Sequence, residues 1–534
     1  MRHRSFQNMK FISEASTGVK IQKMKERVRW RHSSITARGI DQTSMVLDNG
    51  KDNPDFSFMV IGDSGTKPYP GFHPQRKVAE MMLPHREECS FVLHTGDVIY
   101  VVGSQEYYPR NFIEPYREFI QGGENYKRIA YNRITFNETP ILPVLGNHDY
   151  YDVPLMSRLV AGSTKLLRQF FRYKDIEIGW HGSEQGNAFA QAFIDCLGNI
   201  DSSLLAEHLD THYTAKTDTG LCLRYEPGIF TRIPNRYYTF RYGGIDFFAL
   251  DSDTFNMPSP IPSTKQGDEK RRQLSKQRHD IEAEEIQILD DITKLNAENS
   301  DHVQQLDELN AKLNQIDEVK IDIEKQLTSS SRSNLIDWEQ LDWLKKRLIE
   351  SWHSDEVRGR IIFFHHPPYV TEATKWHQAQ TLAVRHRLRE VFDAVAQTLS
   401  VQNVLNSERP IVDLILNGHA HCLEHLRTTN TGHADSNINC IVSGGSGHRP
   451  RRQRKEGNEL VEKFMTPTGI HNRKVADSYL FSGRNGDNET RRLPYSFVRI
   501  DVKAGNPPKF TARPFVAEWY QDKWSNITLE PFEF

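Results

Sequence analysis

Five short stretches of the chain end in side chains that bind metal ions or move protons. They are IGDSG with Asp63, TGDVIY with Asp97 and Tyr100, LGNHD with Asn147 and His148, FFHHPPY with His365 and His366, and NGHAH with His419 and His421. Singly these are weak signals, because many strands end in Gly-Asp and a lone histidine is usually structural. Together they make a mixed oxygen and nitrogen donor set, which suits Zn, Mn or Fe and is poor for Cu(I). A bridging carboxylate can hold two ions about 3.5–4 Å apart, the separation used by two-metal hydrolases. Glycine before Asp63, Asp97 and Asn147 lets the backbone turn sharply and approach an ion.

Such residues must be delivered by ordered elements. Short apolar runs recur from about residue 52: FSFMVIGD, FVLHTGD, ILPVLGN, IDFFALD, RIIFFHH, VDLILNG and NCIVSG. Their length and their β-branched or aromatic content predict strands buried on both faces. Helical spacing appears over 74–88 and over 338–352, where Leu341, Leu344 and Leu348 recur. The class is α/β, and each motif sits at the C-terminal end of a predicted strand. In an open α/β sheet those ends converge on one crevice, so ligands hundreds of residues apart can meet.

Three regions have a different texture. The first forty residues hold ten Lys/Arg and two Glu, and 1–50 reads as a basic arm with little core of its own. Residues 264–330 carry a seven-residue apolar repeat: Ile281, Ile288, Ile292 and Leu295, then Leu306, Leu309, Leu313, Ile316, Ile323 and Leu327. That predicts two long helices folded back as an antiparallel coiled-coil hairpin, which either docks a partner or satisfies itself. The tail begins with Arg449, Arg451, Arg452, Arg454 and Lys455, read as a solvated loop or an anion-binding rim. YSFVRIDV and KFTARPFV then alternate like strands at a sheet edge. The domain reading is an arm over 1–50, a catalytic domain over 51–263 and 331–534, and an insertion over 264–330.

The five motifs resemble, in order, those of the calcineurin-like metallophosphoesterases. The variant GDxG, GDxxY, GNHD, HxP, GHxH resembles the purple acid phosphatases, because Ser64 and Gly65 follow Asp63 where other members carry Asp-x-His, and Tyr100 is present. The resemblance covers roughly residues 55–262 and 335–448, including LDSD at 250–253 and QLDWLKKRL at 340–348. It implies a two-sheet β-sandwich flanked by helices, with two di- or trivalent ions, Fe paired with Zn, Mn or Fe. One ion would be held by Asp63, Asp97, Tyr100 and His421, the other by Asp97, Asn147, His365 and His419. His365 is preferred to His366 because it opens His-x-Pro-x-Tyr with Pro367 and Tyr369. Asn147 and His148 would face the substrate, His148 orienting the phosphate and protonating the leaving oxygen. His377 is a further substrate-binding candidate, Tyr150 and Tyr151 are pocket-wall candidates, and Cys422 has no assigned role. Tyr100 favours a strongly acidic ion such as Fe(III), since a neutral phenol is a poor ligand. Water made acidic by the two ions would then yield a hydroxide that attacks phosphorus in line.

The expected activity is phosphomonoester hydrolysis. The alternatives are a diesterase acting on a nucleotide or lipid headgroup, and a scaffold that works through the hairpin. The 534 residues carry a net charge of -2, with 37% hydrophobic and 26% charged residues. Nothing in that balance calls for nucleic acid, and no apolar run has membrane-spanning length. The partners expected are a phosphorylated substrate and, through 264–330, another protein or a second copy. Five scattered cysteines without CxxC, and an N-terminus lacking an apolar signal core, point to the cytoplasm. Substrate choice is expected to lie in the loops 101–139 and 150–236.

Overall fold

Two ribbons of parallel strands, one in each of two sheets, carry the motif turns. The computed structural model describes residues 13–50, 52–152, 182–295, 300–329, 335–404, 409–466, 469–487 and 490–534. In one sheet Phe56–Ile61, Val92–His94 and Ile141–Pro143 run parallel, with Val60 opposite Leu93 and Leu93 opposite Leu142. In the other, Ile245–Ala249, Gly359–Phe363, Leu414–Asn417 and Asn439–Ser443 run parallel, with Phe247 opposite Ile361 and Leu416 opposite Ile441. Among the described residues these two sheets have seven and eleven strands.

The unbroken apolar runs are explained by alternation across a sheet covered on both sides. Phe247, Ile361, Phe363, Leu416 and Ile441 point into one core with Phe58, Val60 and Leu93 of the facing sheet. Their neighbours Phe248, Ile362, Phe364, Ile415 and Val442 form a second core with Leu341, Leu344 and Leu348 of helix Trp338–His353 and Val384, Leu388 and Val391 of helix Ala379–Val401. Each such fully buried side chain contributes about 1.5–3 kcal/mol relative to its exposed state.

Two readings need correction. Residues 1–50 are not simply an arm. Met24, Val28, Ile35 and Met45 belong to the first core, and strand Ile40–Leu47 lies in the larger sheet between Gly220–Tyr225 and Tyr238–Tyr242. Helix Thr17–Arg27 buries Ile21 and Met24 and leaves Lys23 and Lys25 outward, so the charge count concealed an amphipathic helix. Residues 1–12 lie outside the described residues. The tail is not all edge either. Strand Leu493–Lys503 bonds to Phe56–Ile61 on one side and to Lys509–Tyr520 on the other, which explains its nearly continuous burial.

Residues 264–330 supply two 29-residue helices, Lys265–Thr293 and Ser300–Thr328. Ile288, Ile292, Leu313 and Ile316 form their own apolar cluster, and Glu285 pairs with Lys320 at 2.7 Å. Among the described residues, no helix is long and apolar enough to cross a membrane.

The second of these helices is tied to the N-terminal region through Glu14, whose carboxylate takes Lys20 at 2.6 Å and Lys325 at 2.9 Å. Burial would raise the Glu14 pKa, but the two ammonium groups outweigh it and hold it at about 2 against the usual 4.5. The pair's stability is therefore present above pH 4.5 and lost as pH falls toward 2. Glu14→Gln should flatten this part of the acid limb in thermal melts; an unchanged limb would remove Glu14 from the account.

Candidate metal centre

The motif turns from the two sheets meet at the strands' C-terminal ends. Phe56–Ile61, Val92–His94 and Ile141–Pro143 deliver Asp63, Asp97 and Asn147, while Gly359–Phe363 and Leu414–Asn417 deliver His365, His419 and His421. All six are buried. Asp63, Asp97 and His419 have φ of 54°, 54° and 65°. Left-handed backbone at non-glycine residues costs of order 1–3 kcal/mol each, and it clusters at functional sites.

A chain of short contacts links the predicted ligands. His365 Nε2 lies 3.2 Å from Asp97 Oδ2, 3.1 Å from Asn147 Oδ1 and 3.2 Å from His419 Nδ1. Its Nδ1–H donates to the Thr95 carbonyl at 2.9 Å, which fixes the ring and leaves Nε2 for the centre. His421 Nε2 lies 3.4 Å from Asp63 Oδ1. The Tyr100 hydroxyl sits 2.8 Å from Asp63 Oδ1, 2.7 Å from Asp97 Oδ2 and 3.1 Å from His421 Nε2. Asp63, Asp97 and His365 each offer a ligand atom, all within 4.8 Å of one another. His366 faces elsewhere, with Nδ1 2.9 Å from Ser252 Oγ and Nε2 3.3 Å from Asn256 Nδ2.

The donor set fits cations. A phenol has one proton to give, yet Tyr100 faces two carboxylates and an imidazole nitrogen. Burial and the Asp97 charge, only partly offset by His365, push Asp63 up to about 7. Burial would lower His365, but Asp97 and Asp63 outweigh it and push it up to about 10. The cluster therefore draws positive charge to itself, as a metal-binding site must.

The surrounding turns are held in register. Asp149 accepts from Val98 N at 3.0 Å and Gly146 N at 2.9 Å, stapling the Asp97 turn to the Asn147 turn. A Cβ on Gly146 would lie 2.2 Å from Asp97 Oδ1 and 2.4 Å from Asp97 N. Gly146→Ala should therefore displace Asp97 and weaken metal retention about 10–100-fold. Metal content after dialysis measures this, with a thermal melt showing that the fold persists; full retention would contradict it.

His148 Nδ1–H donates to the Val101 carbonyl at 2.6 Å, so Nε2 points inward, 4.0 Å from Asp97 Oδ2. Burial pushes its pKa below the ordinary value. Tyr151 lies against His148 with ring centroids 4.9 Å apart, and Tyr150 donates to Asp251 at 2.7 Å.

His377, expected to bind substrate, does not reach the centre. It is exposed beside Trp376, and its neighbours on the same loop reach the centre instead. Lys375 Nζ is 3.0 Å and Gln378 Oε1 3.2 Å from His419 Nε2. His448 was also unforeseen: its Nδ1 is 3.1 Å from His421 Nδ1, and its ring lies 4.2 Å from that of Tyr100. The only sequence signal for it was its place just after the strand Asn439–Ser443. The basic cluster is not a solvated loop, since Arg449 is buried and Arg451 pairs with Glu318 of the helix Ser300–Thr328. Of the loops expected to select substrate, 153–181 lie outside the described residues.

Residues 56–302 match the model of the calcineurin-like phosphoesterase family. That match spans just under half of the 534 residues. The matched span contains Asp63, Asp97, Tyr100, Asn147 and His148, and the fold brings His365, His419 and His421 to them from beyond it. No curated protein matches the chain. Similar solved structures include a purple acid phosphatase from yellow lupin seeds, at 12% identity and TM-score 0.40, covering 90% of this chain and 54% of that one. GAP50, the anchor in the inner membrane complex of Plasmodium, matches at 10% identity and TM-score 0.37, over 89% of each chain. PhoD matches at 13% identity and TM-score 0.33, over 90% of this chain and 73% of that one. The chain spans about half the length of the lupin protein.

Proposed function

We propose that this chain is a calcineurin-like phosphoesterase and a two-metal hydrolase of phosphomonoesters. The observation that carries the reading is the Tyr100 hydroxyl, within 3.1 Å of Asp63, Asp97 and His421 side-chain atoms at the buried end of the site. Asp63, Asp97, Tyr100 and His421 would hold one ion, and Asp97, Asn147, His365 and His419 the other. Bound ions would supply an acidified water and positive charge for the phosphoryl oxygens. The chain's own groups do the rest. Thr95 and His448 hold the ring nitrogens of His365 and His421 that face away from the centre. His148, aimed inward by Val101, is placed to bond a phosphoryl oxygen and to carry a proton to the leaving oxygen. As a ligand Tyr100 would have to ionise to phenolate, which favours a strongly acidic ion such as Fe(III) at the first position. The five unpaired cysteines support a reducing compartment.

The test is turnover of p-nitrophenyl phosphate against bis(p-nitrophenyl) phosphate with Fe, Zn or Mn supplied, with metal analysis and a visible spectrum. The expected result is preference for the monoester and a violet-to-pink band lost in Tyr100→Phe. Preference for the diester would sink the monoesterase reading. A colourless, active Zn or Mn enzyme would sink the Fe(III) assignment alone.

A further inference from the structure

The helix Ser300–Thr328 places a carboxylate beside the candidate metal centre. Glu318 is 8% exposed. It accepts from Lys375 Nζ at 2.6 Å and from both Arg451 terminal nitrogens, at 3.1 and 2.5 Å. Lys375 is fully buried, and the same Nζ lies 3.0 Å from His419 Nε2. The Arg451 backbone N–H donates to the His421 carbonyl at 2.9 Å. A planar anion thus rests on two cations, one whose ammonium group touches a candidate metal ligand and one whose backbone is bonded to another. Lysine and arginine so placed are the usual means of holding phosphoryl oxygens.

We propose that Lys375 and Arg451 are substrate-binding residues for the phosphoryl group, and that Glu318 of the hairpin occupies their anion position until substrate displaces it. The proposal rests on the phosphoester reading of the site and adds its anion-binding side chains and their internal competitor.

The way the helix is seated supports displacement. Its apolar residues Leu313 and Ile316 turn to Ile288 and Ile292 of the other hairpin helix. Toward the rest of the chain it presents polar groups. Asp322, one turn beyond Glu318, accepts from Ala379 N and Gln380 N at 3.1 Å each. Lys325 bonds Gln380 at 3.0 Å and Glu14 at 2.9 Å. Glu308 faces Arg484 and Arg491, each at 3.4 Å. Ion pairs and hydrogen bonds can be exchanged for ligand or water contacts, whereas a large apolar seat would resist separation. A cleft of about 460 Å³ opens between this helix and the loop bearing His448 and Arg451, and offers an approach for the anion.

The experiment uses the full, metal-loaded chain, with inorganic phosphate as the probe and calorimetry as the readout. Glu318→Gln keeps the size of the side chain and removes the competing charge, so phosphate should bind at least about tenfold more tightly than to wild type. In the Glu318→Gln background, Lys375→Met and Arg451→Met should each cancel that gain, with melts confirming folding. Hydrogen exchange over 308–325 should rise in wild type when phosphate is added. Equal phosphate affinity in wild type and Glu318→Gln, or weaker binding in the variant, would overturn the proposal and make Glu318 a strut. Absence of phosphate binding in every form would instead defeat the phosphoester reading beneath it.

Discussion

Asp97→Asn is expected to lower phosphoester turnover about a thousandfold, the loss typical when an electrostatic contributor to phosphoryl or acyl transfer is removed. Asp97 links the Tyr100 half of the cluster to the His365 half. Its Oδ2 meets Tyr100 at 2.7 Å and His365 at 3.2 Å, and its Oδ1 accepts His148 N at 2.9 Å. Burial opposes ionisation of Asp97, yet His365 and His148 outweigh it and hold the carboxyl well below the usual range. Asparagine fills the same space, but it carries no charge for two ions to share, and one arm of its amide can only donate. Misfolding would mimic the loss of activity. The separating measurement is the rise in melting temperature when metal is added, which wild type should show and the variant should lose. A variant that retains two ions per chain and most of its activity would remove Asp97 from the bridging position.

The contrast between Asp97 and Glu318 explains which parts of the site could be read from sequence. Asp63, Asp97, Asn147, His365, His419 and His421 sit two to four residues after the ends of buried strands, so a local pattern reports each one. The paired parallel ribbons were legible for the same reason, because strands covered on both faces are apolar without a break. Glu318, Lys375 and Arg451 have no such local signature. Glu318 lies in a charged helix whose repeat reveals Leu313 and Ile316 but not what the opposite face will meet. Lys375 and Gln378 flank His377, and only the path of that loop decides which of them points inward. Composition also misled at the N-terminus, where lysines and arginines outnumber the few apolar residues that reach the core. The eight-residue strand Ile40–Leu47 was hidden there, since IDQTSMVL has neither clean alternation nor an unbroken apolar run.

Arg236→Met is expected to destabilise the chain by about 3–5 kcal/mol, the cost of leaving buried charges without their partner. The guanidinium is 2% exposed. Its Nη1 meets Asp251 Oδ2 at 3.0 Å and Thr254 Oγ1 at 3.1 Å, and its Nη2 pairs with Asp337. Asp337 caps helix Trp338–His353 through Gln340 N at 3.3 Å, and Gln340 in turn bonds the Asp251 backbone. Asp251 also holds the Tyr150 hydroxyl at 2.7 Å, two residues after His148. This one arginine therefore joins the LDSD turn, the helix behind the larger sheet and the turn bearing His148. Methionine would fill much of the volume and leave two carboxylates facing each other. Adding Asp251→Asn and Asp337→Asn to Arg236→Met should recover a substantial part of the loss, because the defect is unpaired charge and not a cavity. Denaturant melts of the single and triple variants measure both quantities. If Arg236→Met costs under about 1 kcal/mol, or if the triple variant is no more stable than the single, the charge account fails and packing must carry that corner of the fold.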